Sequence, residues 1–490
     1  MDTYWLMIWK RFYSYRLGRL ALWVIAIFCL VSIFAPFLAS SKPLILQYEG
    51  SWYFPLFRYL FYVGFYTKPL DLFFNLMILT FPVALGICFI FRHRLKKAVY
   101  LLLLLLAIHI SCFALLLLFP MQDPSFDRNL KLKKNEYLNT NPLPNWNKYL
   151  QFMTPYEKLN SILQSINEEE ETKKLSRYVS SSSMLPTLWN EHRQFIQEET
   201  DRLKDEMKNL KLSQELQREN EAILKYLEDN QTWIEEQKKK ISYLLWPLIT
   251  RFHWEEDAGG SQSLNRKLSI WDMTRLNRKS FTAALLFGVR ISLVVGGLSI
   301  LLSMAIGIPI GALAGYYGGR FDIITSRLIE IWETMPIFFM LLMVIAMLQS
   351  KSIFLIIGII GLFGWTSFSR YIRGEFFKQR HLPYVEACRS IGFSDRRIIF
   401  SHILPNALPP ILTLIPFAVM GAITSEAGLS FLGLGEEGSC SWGVLMDEGR
   451  SSFPSESDLL WPPAMLLTLL LVSIAVVGDT LRDALDPKGS

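Results

Sequence analysis

Residues 386–406, near the C-terminal end of the chain, read EACRSIGFSDRRIIFSHILPN. The stretch lies between two strongly apolar runs, and it is itself too polar and too rich in arginine to enter lipid. Gly392 divides it, because glycine accepts the left-handed backbone conformation that ends many helices, and Pro405 is expected to end its second half. We predict a short helix, a turn at Gly392 and a second short helix, placed at a membrane surface where another protein can dock.

Apolar sequence dominates the rest of the chain. Hydrophobic residues make up 51% of the 490 residues, and the mean hydropathy is +0.26. A helix needs about 20 apolar residues to cross the apolar core of a bilayer. Eight runs approach or exceed that length: 21–38, 72–91, 98–119, 283–319, 334–350, 352–369, 406–425 and 459–478. Because helices of soluble proteins usually have only one apolar face, these runs predict an all-α, polytopic membrane protein.

The charges and cysteines exclude several other classes. The net charge of +6 comes from basic residues in short loops beside the apolar runs, which the positive-inside rule explains without any binding of nucleic acid. The five cysteines have no CxxC spacing, so neither a disulfide framework nor a zinc site is predicted. The sequence contains no P-loop, HExxH or GxSxG motif, so we expect no catalysis within this subunit.

Residues 386–406 resemble a signature of importer permeases of the ATP-binding-cassette (ABC) class. That signature reads EAA, three residues, Gly, nine residues, I-x-LP, and it occupies a cytoplasmic loop that docks an ATPase. The matching residues are Glu386, Ala387, Gly392, Leu404 and Pro405. Cys388 stands at the second alanine, and His402 stands at the isoleucine. The form H-I-L-P-N, residues 402–406, is similar to the oligopeptide and dipeptide subfamily.

A second match lies in residues 425–435, which read SEAGLSFLGLG. In peptide permeases this segment is short, partly re-entrant and close to the translocation path. The resemblance therefore implies four path candidates, Glu426, Gly428, Gly433 and Gly435. The formal G-x-G-x-x-G of residues 433–438 follows an apolar run rather than a strand, so no nucleotide site is predicted there.

The resemblance covers residues 283–490, with a weaker match at 41–55 to the branch that includes microcin-type importers. It implies a six-helix permease core in a heteromeric complex with a second permease, two P-loop ATPase subunits that use ATP and Mg²⁺, and an extracytoplasmic peptide-binding protein. This subunit itself would hold no cofactor. Closure of the ATPases would move the loop and alternate the access of the core to the two sides of the membrane.

Parity and loop charge predict a multi-pass inner-membrane topology with both termini cytoplasmic. The predicted segments are a cytoplasmic N-terminus with the first helix (1–40), an extracytoplasmic segment (41–71), an inserted transmembrane hairpin (72–119), an extracytoplasmic helical insertion (120–282) and the permease core with five helices (283–490), whose coupling loop is 371–405. Composition in 191–240 favours a long amphipathic helix or a helical hairpin.

Two smaller patterns concern packing. Gly307, Gly311 and Gly315 recur every four residues, a spacing that predicts close helix packing in lipid rather than substrate contact. His109 lies inside an apolar run, where we expect packing or a hydrogen bond.

Two alternatives to an ABC permease can be compared with the sequence. A secondary transporter or channel that works without ATP is disfavoured, because the apolar runs contain neither an acidic side chain nor an inverted repeat. The remaining alternative is a non-transporting membrane scaffold whose extracytoplasmic insertion binds a partner.

Overall fold

The structure is a computed structural model. It describes residues 2–122 (except 41, 49, 64–67 and 92–93), scattered positions of 197–240, and residues 241–249, 281–451 (except 349–350 and 437) and 459–485. The chain forms two compact units: one consists of residues 33–286, and the other of residues 1–32 with 287–490.

Outside residues 197–240, the described residues form fifteen α-helices. They are α1 (Asp2–Ser14), α2 (Arg16–Leu38), α3 (Pro55–Tyr59), α4 (Pro69–Ile90), α5 (Leu95–Leu118), α6 (Phe281–Tyr317), α7 (Gly319–Thr334), α8 (Ile337–Leu348), α9 (Ile353–Gln379), α10 (Pro383–Ser390), α11 (Asp395–Arg397), α12 (Leu404–Leu412), α13 (Ile415–Leu429), α14 (Trp442–Ser451) and α15 (Trp461–Leu485). Two π-helical segments, Ile398–Ile403 and Ser430–Leu434, precede α12 and follow α13.

Seven helices among the described residues are long and apolar enough to cross a membrane, and α7 with α8 forms an eighth candidate that is bent by 74°. The all-α, polytopic fold is thereby confirmed. The predicted run 334–350 is shorter than expected, since α8 has only 12 residues. Pro336 lies in the break before α8, where its missing N–H and its ring interrupt the helical hydrogen bonds.

Helices α6 and α9 pack side by side and run parallel. The Ser303 hydroxyl donates to the Gly361 carbonyl at 2.9 Å, a separation of 58 residues in sequence. The same spacing continues along α6, because a Cβ at each of three glycines would lie no more than 2.7 Å from a carbonyl oxygen of α9. The pairs are Gly307 with Trp365, Gly311 with Ser369, and Gly315 with Arg373. The predicted close packing of the small residues is confirmed.

The parallel direction of α6 and α9 limits the path of the chain between them. If both helices span the membrane in the same direction, the intervening chain must cross it an odd number of times. Only α7 and α8 lie between them, and α7 is a charged, amphipathic helix. The bent pair of α7 and α8 is the candidate for that crossing, and with it the described residues contain up to eight candidate spans.

A buried arginine joins α6 to α2. The Arg290 guanidinium is almost fully buried, and its Nε donates to the backbone carbonyl of Ser32 at 2.7 Å. Pro36 has no N–H and cannot give that carbonyl its usual helical hydrogen bond. Arg290 thus satisfies a carbonyl that would otherwise be unpaired inside the protein.

The unit of residues 33–286 contains a small sheet that the sequence did not predict. Strands β1 (Ile45–Tyr48), β2 (Ser51–Tyr53), β3 (Tyr62–Val63), β4 (Met121–Gln122) and β5 (Ile241–Leu245) are described. β1 lies between β2 and β5 and is antiparallel to both, while β3 pairs with β4 in parallel. The fully buried Leu46 of β1 forms the centre of the small core beneath the sheet.

The inserted hairpin of α4 and α5 is held by one polar contact as well as by apolar packing. Thr80 Oγ1 and His109 Nδ1 are 3.0 Å apart, and the Phe73 ring lies edge-on to the imidazole at 4.7 Å. The expectation that His109 would serve in packing or hydrogen bonding is confirmed.

The described part of the long insertion is a helical hairpin. Every described position between 197 and 240 is helical. The Lys204 ammonium lies 3.3 Å from the Glu228 carboxylate. In one continuous helix these residues would be roughly 36 Å apart, so the chain must turn back between them. Residues 123–196 and 250–280 of the predicted insertion lie outside the described residues.

Candidate docking loop and translocation segment

The part of the chain that carries the EAA signature follows α9. Helix α9 continues to Gln379, so residues 371–379 of the predicted coupling loop 371–405 are helical, and residues 380–405 are called the EAA loop below. The charged end of α9 is stabilised by ion pairs with α7, Arg373 with Asp322 and Arg370 with Glu333.

Gly392 ends α10 as predicted. Its φ is +83°, in the left-handed region that favours glycine. The Gly392 N–H donates to the Arg389 carbonyl at 2.9 Å, and the Phe393 N–H donates to the Cys388 carbonyl at 3.1 Å. This pair of hydrogen bonds is the Schellman motif, which satisfies the last carbonyls of a helix. The sequence therefore sets the point at which the loop reverses.

The first half of the EAA signature is exposed. Val385 is fully buried and anchors α10, whereas Glu386, Ala387 and Gly392 are exposed and Cys388 is half-buried. Ile391, next to the turn, is 71% exposed. Residues on this exposed side of α10 and its turn are accessible to a partner protein.

Pro405 does not end the second half of the stretch, and that prediction was wrong. The chain passes from α11 through the π-helical segment Ile398–Ile403 into α12, which begins at Leu404. Proline lacks an N–H and its ring crowds the carbonyl four residues earlier. The wider π-helical turn before Pro405 makes room for that ring, so the helix continues. Leu404 and Pro405 are half-buried at this junction.

One tyrosine at the end of α6 contacts both halves of the EAA loop. The buried Tyr316 hydroxyl donates to Asp395 Oδ1 at 2.7 Å, beyond the Gly392 turn. Before the turn, the Arg389 guanidinium lies over the Tyr316 ring, 5.2 Å from its centroid. The sequence patterns did not single out Tyr316 or Asp395.

The second half of the loop has its own internal support. The Phe393 ring stacks on the His402 imidazole at 5.4 Å, and the Arg397 guanidinium lies 4.1 Å from the Phe393 centroid.

The first half of the loop is joined to α9 by a tyrosine. Burial raises the pKa of the Tyr384 phenol, whose hydroxyl donates to Gln379 Oε1 at 2.8 Å. The hydroxyl is therefore protonated, and remains a donor, at neutral pH.

One solvent-exposed face of the EAA loop is basic. An open cavity of about 410 Å³ is lined by Ser394, Arg396, Arg397, Phe400 and Ser401. This lining contains two guanidinium groups and no carboxylate, so it favours an acidic partner surface.

The SEAGLSFLGLG segment folds around a buried carboxylate. Glu426 Oε1 accepts hydrogen bonds from the hydroxyls of Ser430, at 2.7 Å, and Ser441, at 2.6 Å. Glu426 thereby connects α13, the following π-helical segment and the start of α14. Sequence reasoning missed Ser441, because only the fold brings it to Glu426.

The three path-candidate glycines occupy different surroundings. Gly433 has a φ of +80°. A Cβ at Gly435 would lie 2.6 Å from the Ser430 hydroxyl, so this glycine permits close packing inside the segment. A Cβ at Gly428 would meet only the Phe338 ring, at 3.7 Å. The α14 helix that follows has 10 residues, too few to span a membrane.

Comparisons with known proteins agree with this architecture. Residues 307–489 match the family described as binding-protein-dependent transport system inner membrane component, and residues 3–51 match the N-terminal transmembrane domain of oligopeptide transport permease C. The inner membrane ABC transporter permease protein YejE of Escherichia coli (strain K12) is 34% identical over 268 residues, which are 52% of this chain and 75% of that protein.

Two further relatives have a similar level of identity. The dipeptide transport system permease protein DppC of Bacillus subtilis (strain 168) is 31% identical over 297 residues, 56% of this chain and 92% of that protein. The peptidoglycan transport system permease protein YejE of Agrobacterium fabrum is 36% identical over 220 residues, 44% of this chain, and the match spans 57% of that relative's length. This chain belongs to the family of binding-protein-dependent transport system inner membrane components, the permease subunits of ABC importers.

Proposed function

We propose that this chain is the permease subunit of an ATP-driven importer of oligopeptides or dipeptides, and that its EAA loop docks a separate ATPase. The observation that carries the proposal is the outward face of α10, where Glu386 and Ala387 are exposed on a helix that the buried Val385 anchors. The class of cargo comes from the comparisons: the family matched by residues 3–51 is named for oligopeptide transport, and one relative is named for dipeptide transport.

The loop is connected to several spanning helices, and this supports a mechanical role. It continues α9 at its start, it contacts α6 through Tyr316, and it leads through the π-helical segment into α12. When the ATPase subunits close on ATP, displacement of α10 would shift these helices together. Binding drives such a change only through a difference in affinity for the two states, so the docked ATPase must prefer one arrangement of the loop.

The proposed complex contains a second permease, two P-loop ATPase subunits that bind ATP and Mg²⁺, and an extracytoplasmic peptide-binding protein. Both termini lie in the cytoplasm, and the helical insertion lies outside. Gly428, Gly433 and Gly435 flank the translocation path. Glu426, whose Oε1 is bound by two hydroxyls, holds this segment in shape beside the path.

Co-purification tests the docking. The chain is extracted from its native membrane in mild detergent, and its companions are identified by mass spectrometry. We expect a P-loop ATPase and a second permease with the wild type, and loss of the ATPase alone with Glu386→Lys or Gly392→Pro. Glu330→Lys is the matched control, because it makes the same charge change on an exposed residue of α7, outside the loop.

Two results would count against the proposal. If the ATPase stays bound to Glu386→Lys as firmly as to the wild type, it does not dock on α10. A wild-type chain that brings no ATPase, under conditions that preserve other membrane complexes, would instead favour the scaffold alternative.

A further inference from the structure

We propose that Tyr316 is the positioning residue that couples the EAA loop to the spanning helices, so that movement of the docked loop becomes movement of α6 and α9. This inference rests on the proposed docking of an ATPase at the loop. It adds a named link between that docking site and the helices of the core.

The loop has two joints at which it could pivot without moving the core. One is the connection from α9, residues 380–382, and the other is the Gly392 turn. If the loop pivoted at both joints, an ATPase could displace the loop without moving the core helices. Coupling therefore requires contacts that hold both halves of the loop against the helices.

Tyr316 supplies such a contact to each half. Arg389 precedes the Gly392 turn and lies over the tyrosine ring, while Asp395 follows the turn and accepts the tyrosine hydroxyl. A hydrogen bond to a carboxylate is shorter and stronger than one between neutral groups. The tyrosine is buried, so its own position is fixed by the end of α6.

The end of α6 that carries Tyr316 also packs against α9. One residue earlier, Gly315 packs against α9, and the Gly315 carbonyl accepts a hydrogen bond from the Arg380 guanidinium at 3.3 Å. Because α6 and α9 interlock along the stripe of small residues, a force applied to Tyr316 reaches both helices. Tyr316 is thus the point at which the loop and the paired helices meet.

The chemical test is Tyr316→Phe, which removes the hydroxyl but keeps the ring beneath Arg389. Asp395→Ala removes the carboxylate that accepts the hydrogen bond of the Tyr316 hydroxyl, and Asp395→Asn keeps an amide oxygen that can accept it. Tyr371→Phe is the control, because it removes a hydroxyl from an exposed tyrosine of α9 outside this contact.

The primary measurement is the number of peptides imported per ATP hydrolysed, in proteoliposomes that contain the complete complex. We expect Tyr316→Phe and Asp395→Ala to keep the ATPase bound and hydrolysing while this ratio falls at least threefold. The double variant should fall no further than either single variant, Asp395→Asn should recover part of the ratio, and Tyr371→Phe should match the wild type. A general loss of folding would instead lower hydrolysis and ATPase retention together.

Hydrogen exchange of the amides of residues 386–397 provides a second readout that does not depend on transport. We expect faster exchange in Tyr316→Phe and Asp395→Ala than in the wild type or in Tyr371→Phe. A wild-type ratio and unchanged exchange in Tyr316→Phe would overturn the inference. A wild-type complex that hydrolyses ATP but moves no peptide would refute the proposed function, while the exchange data would still decide whether Tyr316 holds the loop.

Discussion

The interlock of α6 and α9 gives a prediction whose size follows from the structure. A Cβ at Gly311 would overlap the carbonyl oxygen of Ser369 and the Cγ2 atom of Ile372. Ordinary contact between such atoms requires about 3.5 Å, so the helices would have to separate by about 1 Å. Overpacking of this kind costs about 1–3 kcal/mol. The carbonyl belongs to the backbone of a packed helix and cannot move aside by itself.

Gly297→Ala is the matched control, since Gly297 also lies in α6 but a Cβ there would meet nothing within 4 Å. Both substitutions gain the same intrinsic helix preference of alanine, about 1 kcal/mol, and that gain cancels in the comparison. We therefore expect Gly311→Ala to be about 1–3 kcal/mol less stable than Gly297→Ala. The assay is unfolding of the purified chain in mixed micelles by increasing SDS, followed by circular dichroism. Equal stability of the two variants would refute the close approach of α6 to α9.

The remaining predictions concern three other contacts. Gly392→Ala should lower the free energy of unfolding by about 1–2 kcal/mol, because alanine is strained at a φ of +83°, and thermal unfolding would detect the loss. Arg290→Met should lower the free energy of unfolding by about 1–3 kcal/mol, because it removes the Arg290 Nε donor from the buried Ser32 carbonyl; thermal unfolding would detect this loss, and an unchanged stability would contradict the role assigned to Arg290. A chain with Lys204→Cys and Glu228→Cys should form an internal cross-link with a bismaleimide about 10 Å long, whereas a continuous helix, with the two residues roughly 36 Å apart, would give none.

The elements that depend on local sequence were predictable. The apolar runs identified the spanning helices because length and composition alone decide whether a helix can cross lipid. Gly392 predicted the position of the loop turn, because glycine readily adopts the positive φ of +83° that the turn needs and other residues avoid it. The Gly307–Gly315 spacing indicated close packing, but only the structure assigned α9 as the partner helix.

The elements that depend on contacts distant in sequence were not predictable. The β1–β5 pairing joins residues about 200 positions apart, and neither segment alternates clearly enough to indicate a strand. The partnership of Glu426 with Ser441 arises only when α14 folds back on α13. The continuation of the helix through Pro405 was missed because a π-helical segment leaves no evident mark in the sequence.

The most direct test of the central claim is uptake of labelled dipeptides and oligopeptides by cells that lack this chain, complemented with either the wild type or Glu386→Lys. We predict that the wild type restores energy-dependent uptake, and that Glu386→Lys, although present in the membrane at the same level, does not. Uptake that is unaffected by deleting the chain would contradict its role as a peptide permease and would favour the non-transporting scaffold.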